Sequence, residues 1–255
     1  MSEFAGVGTE ACLTVVMPCY NEVGTLTGAI ERVLHSPYTR ELIVVDDGSD
    51  DGSLEAARQV VDDRVVVVHF ARNRGKGAAL RAGFARATSP YVVIQDADLE
   101  YDPADYRALL RPLLDGRADV VYGSRFMGGQ PHRVLHFWHS VGNKGLTVVS
   151  NVMTNLNLTD METGYKAFRI EVLRTITFEE DRFGFEPEVT AKLARGDWRI
   201  YEVGISYAGR TYAQGKKIGW RDGYRALTCI LKYSPAGTRI RGLLDGMADG
   251  GDSRG

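Results

Sequence analysis

Asp96 and Asp98 stand one residue apart, directly after the apolar run Tyr91–Gln95. Two carboxylates this close repel, and their ionised forms call for a compensating cation. Oxygen ligands suit Mg2+ or Mn2+, and Glu100 is in register to join Asp96 and Asp98 around the ion. Such a metal would neutralise the charge of a phosphate-bearing ligand. A solvated acidic turn or a helix cap would give the same Asp-x-Asp spacing. The metal reading is favoured here because the pair follows a buried strand and falls beside Asp46 and Asp47 in the expected fold.

Asp46-Asp-Gly-Ser49 ends another apolar run. A carboxylate there can accept hydrogen bonds from a base or ribose, or it can simply form the turn that Asp-Gly favours. Arg72-Asn-Arg-Gly-Lys-Gly77 is basic and glycine-rich before a helix. It either holds phosphate at a helix N-terminus, with Lys76 as the contact, or is a surface loop of solvated cations. It is not a Walker A loop, since no Ser or Thr follows Gly-Lys. Cations gather further on. Residues 210–240 carry Arg210, Lys216, Lys217, Arg221, Arg225, Lys232 and Arg239 against one acid, Asp222. Residues 123–144 carry Arg125, Arg133 and Lys144, no acid, and interleaved Phe126, Phe137 and Trp138. These runs are either solvated helix faces or surfaces for anionic partners, an anionic lipid surface included. His132, His136 and His139 have helical spacing but no acids nearby in sequence, so they are not assigned a metal.

These residues follow strands. Leu13–Met17 and Glu41–Val45 read as buried strands, Arg64–Phe70 and Tyr91–Gln95 as a third and a fourth strand, and Asp119–Tyr122 begins a fifth. Helices follow the first four: Leu26, Ile30, Val33 and Leu34; Leu54, Ala57 and Val61; Leu80 and Phe84; then Asp102 capping a helix with Pro103 first and Tyr106, Leu109, Leu110 and Leu113 facing inward. Strict alternation to about residue 122 implies an α/β fold with a mostly parallel central sheet and helices on both faces. Ligands of such sheets bind outside the carboxyl ends of the strands, where the acids lie. Beyond residue 122 the pattern gives helices over 136–155, 185–195 and 219–233 and a strand over 199–207.

The 255 residues suit one large α/β domain, and 44% hydrophobic with 25% charged residues suits a packed core. A net charge of -2 gives no case for nucleic acid as a partner. Cys12, Cys19 and Cys229 are too few and scattered for a disulfide framework. No apolar run approaches the roughly 18 residues of a spanning helix, and the short acidic N-terminus lacks a signal-peptide pattern. The expectation is a cytoplasmic protein able to sit on a membrane surface. The Gly- and Asp-rich tail over 245–255 is expected to be disordered.

Taken in order, Met17-Pro-Cys-Tyr-Asn-Glu22, Val44-Val-Asp-Asp-Gly-Ser49, Asn73-Arg-Gly-Lys-Gly77, Asp96-Ala-Asp-Leu-Glu100, Gly123-Ser-Arg125, Asp160-Met-Glu-Thr-Gly-Tyr165 and Arg210-Thr-Tyr-Ala-Gln-Gly-Lys216 resemble family 2 glycosyltransferases of the GT-A (Rossmann-like) fold. Within that family they are similar to the polyprenol-phosphate sugar synthases typified by dolichol-phosphate mannose synthase. The resemblance spans residues 12–233 as one domain, with 12–122 as the nucleotide-sugar half and 123–233 as the acceptor half. It implies that Pro18, Tyr20, Glu22, Val44 and Asp46 hold the nucleoside, with Lys76 near it or its phosphates. Asp96 and Ala97 would contact the donor, and Asp98 and Glu100 would ligate the metal. Arg125, Arg210 and Lys216 would hold diphosphate, sugar or acceptor phosphate. Asp98, Arg125 and Arg210 would carry catalysis. Glu100 stands where many such synthases carry Gln. His139 and Asn143 occupy the region where an Arg often faces the acceptor phosphate.

The implied reaction is inverting transfer of a hexosyl group from a GDP- or UDP-sugar to a polyprenyl phosphate at the inner membrane face. The protein would be peripheral there, with a membrane-anchored partner protein admitted. The helix near 136–155 and the basic stretch near 210–240 are the candidate membrane contacts. A phosphate acceptor is already largely ionised at neutral pH and needs no general base, its second pKa being about 6. The alternative is a soluble or polysaccharide hydroxyl acceptor, for which Asp160 or Glu162 would be the base. Gln-x-x-Arg-Trp, frequent in processive enzymes of that kind, does not occur.

Overall fold

The computed structural model describes residues 11–128, 137–209 and 220–240. Arg133, Arg210, Lys216, Lys217, His132, His136 and the 245–255 tail therefore lie outside the described residues.

The elements run β1 (Leu13–Cys19), α1 (Val23–His35), β2 (Thr39–Asp46), α2 (Ser53–Arg58), β3 (Val65–His69), α3 (Lys76–Phe84), β4 (Tyr91–Ile94), α4 (Tyr106–Leu114), β5 (Val120–Ser124), α5 (Phe137–Thr154), β6 (Lys166–Arg169), α6 (Ile170–Thr175), α7 (Phe185–Leu193), β7 (Ile200–Gly204) and α8 (Trp220–Tyr233). The strands form one sheet in the order β3-β2-β1-β4-β6-β5-β7. All pairings are parallel except those of β6, which runs antiparallel to both β4 and β5.

Successive residues of each central strand enter opposite cores. Val15, Met17, Leu42, Val44, Val93 and Val121 pack with α1 and α4. Val16, Ile43, Val45, Val92, Ile94, Val120 and Tyr122 pack with α3 and α7. Burial on both faces is why these strands read as unbroken apolar runs rather than alternating ones. Asp102 accepts the Ala104 N–H at 2.9 Å, with Pro103 opening a 3-10 turn that leads into α4.

Three elements depart from the sequence expectation. Val61 is fully exposed, because α2 ends at Arg58 and the residue belongs to the following loop. β6 and α6 were not anticipated: Lys-Ala-Phe-Arg carries two charged ends on four residues, too short to show a period. Among the described residues, no helix is long and apolar enough to cross a membrane.

The chain runs β1, β2, β3 toward one edge and places β4 on the other side of β1. The carboxyl ends of β1 and β4 therefore flank a switch point of the kind that opens a crevice.

Candidate active site

The loop after β1 is tied to the loop after β2. Asn21, at φ 54, donates its N–H to Ser49 at 3.0 Å and accepts the Asp50 N–H at 3.0 Å. Glu22 donates its N–H to Ser53, and Asp51 accepts the Val23 N–H, capping α1. Tyr20 remains on the surface at 39% exposure, above buried Cys19. Asp46 is buried, and its Oδ2 meets His69 Nδ1 at 2.9 Å, while its Oδ1 is sealed from solvent without a hydrogen-bond partner. A buried acceptor left without a donor is costly. Across β1 and β2 Pro18 faces Val45, which lies between Val44 and Asp46, and Cys19 faces Asp46.

Asp47 serves the neighbouring loop instead. It accepts Asn73 Nδ2 at 2.9 Å and the N–H groups of Arg74 and Gly75 at 2.7 Å each. Burial raises its pKa above the usual carboxylate value, and those hydrogen bonds oppose the rise. The 72–77 loop is thus held in a defined shape, although Arg72 and Arg74 stay exposed. Gly75 sits at φ 105, and a Cβ there would lie 2.3 Å from the Asp181 carbonyl oxygen, so only glycine fits.

This loop delivers Lys76 into the interior. Its Nζ lies 2.9 Å from Asp96 Oδ1 and 3.0 Å from Glu186 Oε1. Burial opposes the ammonium, yet the two carboxylates outweigh it and hold its pKa well above the usual lysine value. Glu186 is lowered in turn: burial opposes its ionisation, and Lys76 and Lys166 overcome that.

After β4 the chain turns through Asp96, buried Ala97, Asp98, Leu99 (φ 63) and Glu100. Asp98 Oδ1 accepts the Glu100 N–H at 3.1 Å. The Glu100 carboxylate accepts the Tyr207 hydroxyl. Tyr207 also lies beneath the Arg125 guanidinium, 5.2 Å from its ring centroid. One tyrosine therefore links the acidic loop to the arginine at the end of β5.

Arg125 clasps Asp160 through Nε and Nη2, both at 2.7 Å, and through its own N–H at 3.1 Å. Asn143 of α5 donates to the same carboxylate at 2.9 Å. Burial opposes ionisation of Asp160, but these donors hold its pKa below the usual value. Its backbone N–H and that of Thr159 are held by Glu202 of β7. Gly164 then brings the 160–164 loop against the acidic loop: a Cβ there would fall 2.6 Å from Asp96 Oδ2. The Gly164 N–H donates to Tyr101, which stacks on Tyr165 at 4.5 Å.

Of the residues singled out in the sequence, Lys76 joins Asp96 directly, Arg125 joins Glu100 through Tyr207, and the 18–22 and 46–49 loops join each other. Glu186, Lys166, Tyr101, Tyr207 and Glu202 were missed, because each gains its role from a partner far away in the chain. The acids Glu186 and Glu188 in the first turn of α7 were the visible signal, and Glu188 proves structural, receiving the N–H groups of Glu179 and Glu180 and the Lys192 ammonium.

Asp98 and Glu100 offer oxygen atoms suited to a hard divalent ion. Among the described residues no group of three or more acids, histidines or cysteines is placed to hold a metal. A Mg2+-type site needs no such cage, since one or two carboxylates with substrate phosphates and water complete it.

The glycosyl transferase family 2 model matches residues 14–177. Polyprenol monophosphomannose synthase of Mycolicibacterium smegmatis is 31% identical over 214 residues, covering 80% of both chains. Undecaprenyl-phosphate mannosyltransferase of Micrococcus luteus is 31% identical over 218 residues, covering 80% of this chain and 86% of its own. Among solved structures, glucosyl-3-phosphoglycerate synthase of Mycobacterium tuberculosis, crystallised with Mn2+, UDP and glucosyl-3-phosphoglycerate, superposes with a TM-score of 0.70 at 21% identity, covering 91% of this chain and 85% of that one.

Proposed function

Because this chain belongs to glycosyl transferase family 2, we propose that it transfers a hexosyl group from a GDP- or UDP-sugar to a polyprenyl phosphate, with inversion, at the inner face of a membrane. The observation that carries the acceptor class is the state of Asp160. Both its oxygens are taken by Arg125 and Asn143, and it is wholly buried. A carboxylate so engaged and held below its usual pKa is a poor general base. An acceptor that arrives ionised needs none, and needs cations instead. Arg125 would supply positive charge to the acceptor phosphate while its Nε and Nη2 stay on Asp160, and Arg210 and Lys216 would be the further cations.

Pro18, Tyr20, Glu22, Val44 and Asp46 would bind the nucleoside, the orphaned Oδ1 of Asp46 awaiting a donor from it. Asp98 and Glu100 would hold Mg2+ or Mn2+, with Asp96 completing the acidic cluster toward Lys76. The ion would supply charge neutralisation at the donor diphosphate. Lys76 would keep Asp96 in place while presenting positive charge to the donor. Arg125, fixed by Asp160, would steer the acceptor phosphate past the acids.

Lipid contact would use the outer faces of α5 and α8. Phe137 (70% exposed), Val141, Val148 and Val152 (74%) project from α5, and Tyr224, Leu227 and Leu231 from α8. α5 has no acidic residue and carries exposed Lys144. Its inner face holds Asn143 against Asp160, so a bilayer on the outer face would lie one helix diameter, about 10 Å, from the site.

The test is a transfer assay with Mg2+ or Mn2+, a panel of GDP- and UDP-sugars and a polyprenyl phosphate. Sugar should enter the organic phase, and Asp98→Ala should lower the rate by about 100-fold or more. Transfer only to soluble hydroxyl acceptors would refute the lipid-phosphate reading.

A further inference from the structure

Among the described residues, no hydrogen bond reaches the Glu162 side chain. Its Oε1 is sealed from solvent and unpartnered, while the residue as a whole stays partly accessible. The charged groups around it are Glu186, Lys166, Arg125 and Asp160. Glu186 holds Lys76, and Lys76 holds Asp96, so Glu162 stands beside the acidic loop. Two residues later Gly164 closes on Asp96 itself.

In structural terms the side chain is a liability. Every other buried acid nearby has a stated job: Asp160 holds Arg125, Glu186 holds Lys76, and Glu188 holds the 179–180 turn. Lys166, the cation nearest in sequence, gives its protons to the carbonyls of Met161 and Thr163 and not to Glu162. A carboxyl without a donor, placed near the Glu186 carboxylate, weakens the fold. An apolar or amide side chain would serve packing better. Polar groups that fail to stabilise the protein on their own are the ones a ligand completes.

We propose that the Glu162 carboxyl is the hydrogen-bond partner of a hydroxyl on the transferred sugar. This rests on the glycosyltransferase reading above. The acidic loop and the cations Lys76 and Arg125 bound the place where diphosphate and sugar meet. Glu162 stands near Arg125 and near Glu186, the partner of Lys76, and its Oε1 has no hydrogen-bond partner among the described residues. It acts on the sugar and not on the nucleotide, and so sets which hexose is accepted.

Isothermal titration calorimetry with Glu162→Gln and Glu162→Ala tests the assignment, with Mn2+ present and GDP, UDP, GDP-mannose and UDP-glucose as probes. Both variants should bind the nucleoside diphosphate as the wild type does. Each should bind the sugar-bearing donor about 10-fold more weakly or worse. Glu162→Gln should also melt higher than the wild type by roughly 2–4 °C. Equal loss for diphosphate and sugar donor, or a lowered melting point for Glu162→Gln, would show a structural role and overturn the proposal. Unchanged donor binding with a lost alkaline-rising limb of the pH–rate profile would make Glu162 a base, which also overturns it. A wild type that binds the diphosphates but no sugar donor refutes this assignment. A wild type that binds none of the four refutes the transferase reading beneath it.

Discussion

At the scale of single residues, two buried carboxyls pull stability in opposite directions. Asp160 has its pKa lowered below 3.8, so it contributes stability above that value and loses it as the pH falls further. Glu162 is pushed up to about 8 by burial and by Glu186, against the pull of Lys166 and Arg125. Its share is therefore full below its ordinary 4.5 and is lost as the pH rises toward 8. Urea melts at pH 5 and pH 8 should show the wild type losing on the order of 1–3 kcal/mol over that interval beyond what Glu162→Gln loses. An unchanged difference between the two proteins would remove Glu162 as the source. Asp160→Asn should cost roughly 3 kcal/mol at pH 7, since the Arg125 guanidinium would be left buried without its counter-charge. Equilibrium denaturation measures this, and a loss under about 1 kcal/mol would mean that solvent replaces Asp160.

At the scale of elements, glycines decide how closely loops approach. Gly164→Ala should push the 160–164 loop off Asp96, lowering transfer at least about 10-fold with little effect on the melting point. Steady-state kinetics beside calorimetry separates the two readings. Gly75→Ala, at φ 105 against a carbonyl, should instead cost about 1–3 kcal/mol of stability and drag Lys76 with it. Legibility in the sequence follows the same division. Apolar runs over 13–17, 41–45 and 91–95 gave away β1, β2 and β4, because strands buried on both faces need no partner to declare themselves. The Asp96–Glu100 loop could be placed from the strand before it. β6 could not, since Lys166 is buried for the contacts of its ammonium and not for its place in a period. The pairing of Lys76 with Glu186 was equally hidden. Lys76 read either as a phosphate contact at a helix N-terminus or as a solvated cation of a surface loop, and only the packing of that loop on residues 180–182 turns it inward.

At the scale of the molecule, the outer face of α5 and α8 is where the protein would meet its lipid. Co-sedimentation with anionic vesicles should retain the protein at low salt and release it at high salt. Val148→Asp with Val152→Asp should abolish retention while leaving the melting point within about 2 °C, both side chains being exposed. Salt-independent absence of binding by the wild type would count against a membrane acceptor. Self-association that the same pair of changes removes would assign the face to a second copy of the chain.

Among the described residues the sheet ends in β3, which pairs only with β2. Its outward edge is a line of four consecutive valines, with Val66 exposed, and only Asp62, Asp63 and Arg64 stand guard before it. Unpaired amide and carbonyl groups along an uncharged β-branched strand invite a like strand from a neighbour. Aggregation on concentration should therefore begin at this edge. Val66→Lys should raise the concentration at which light scattering appears and leave turnover untouched.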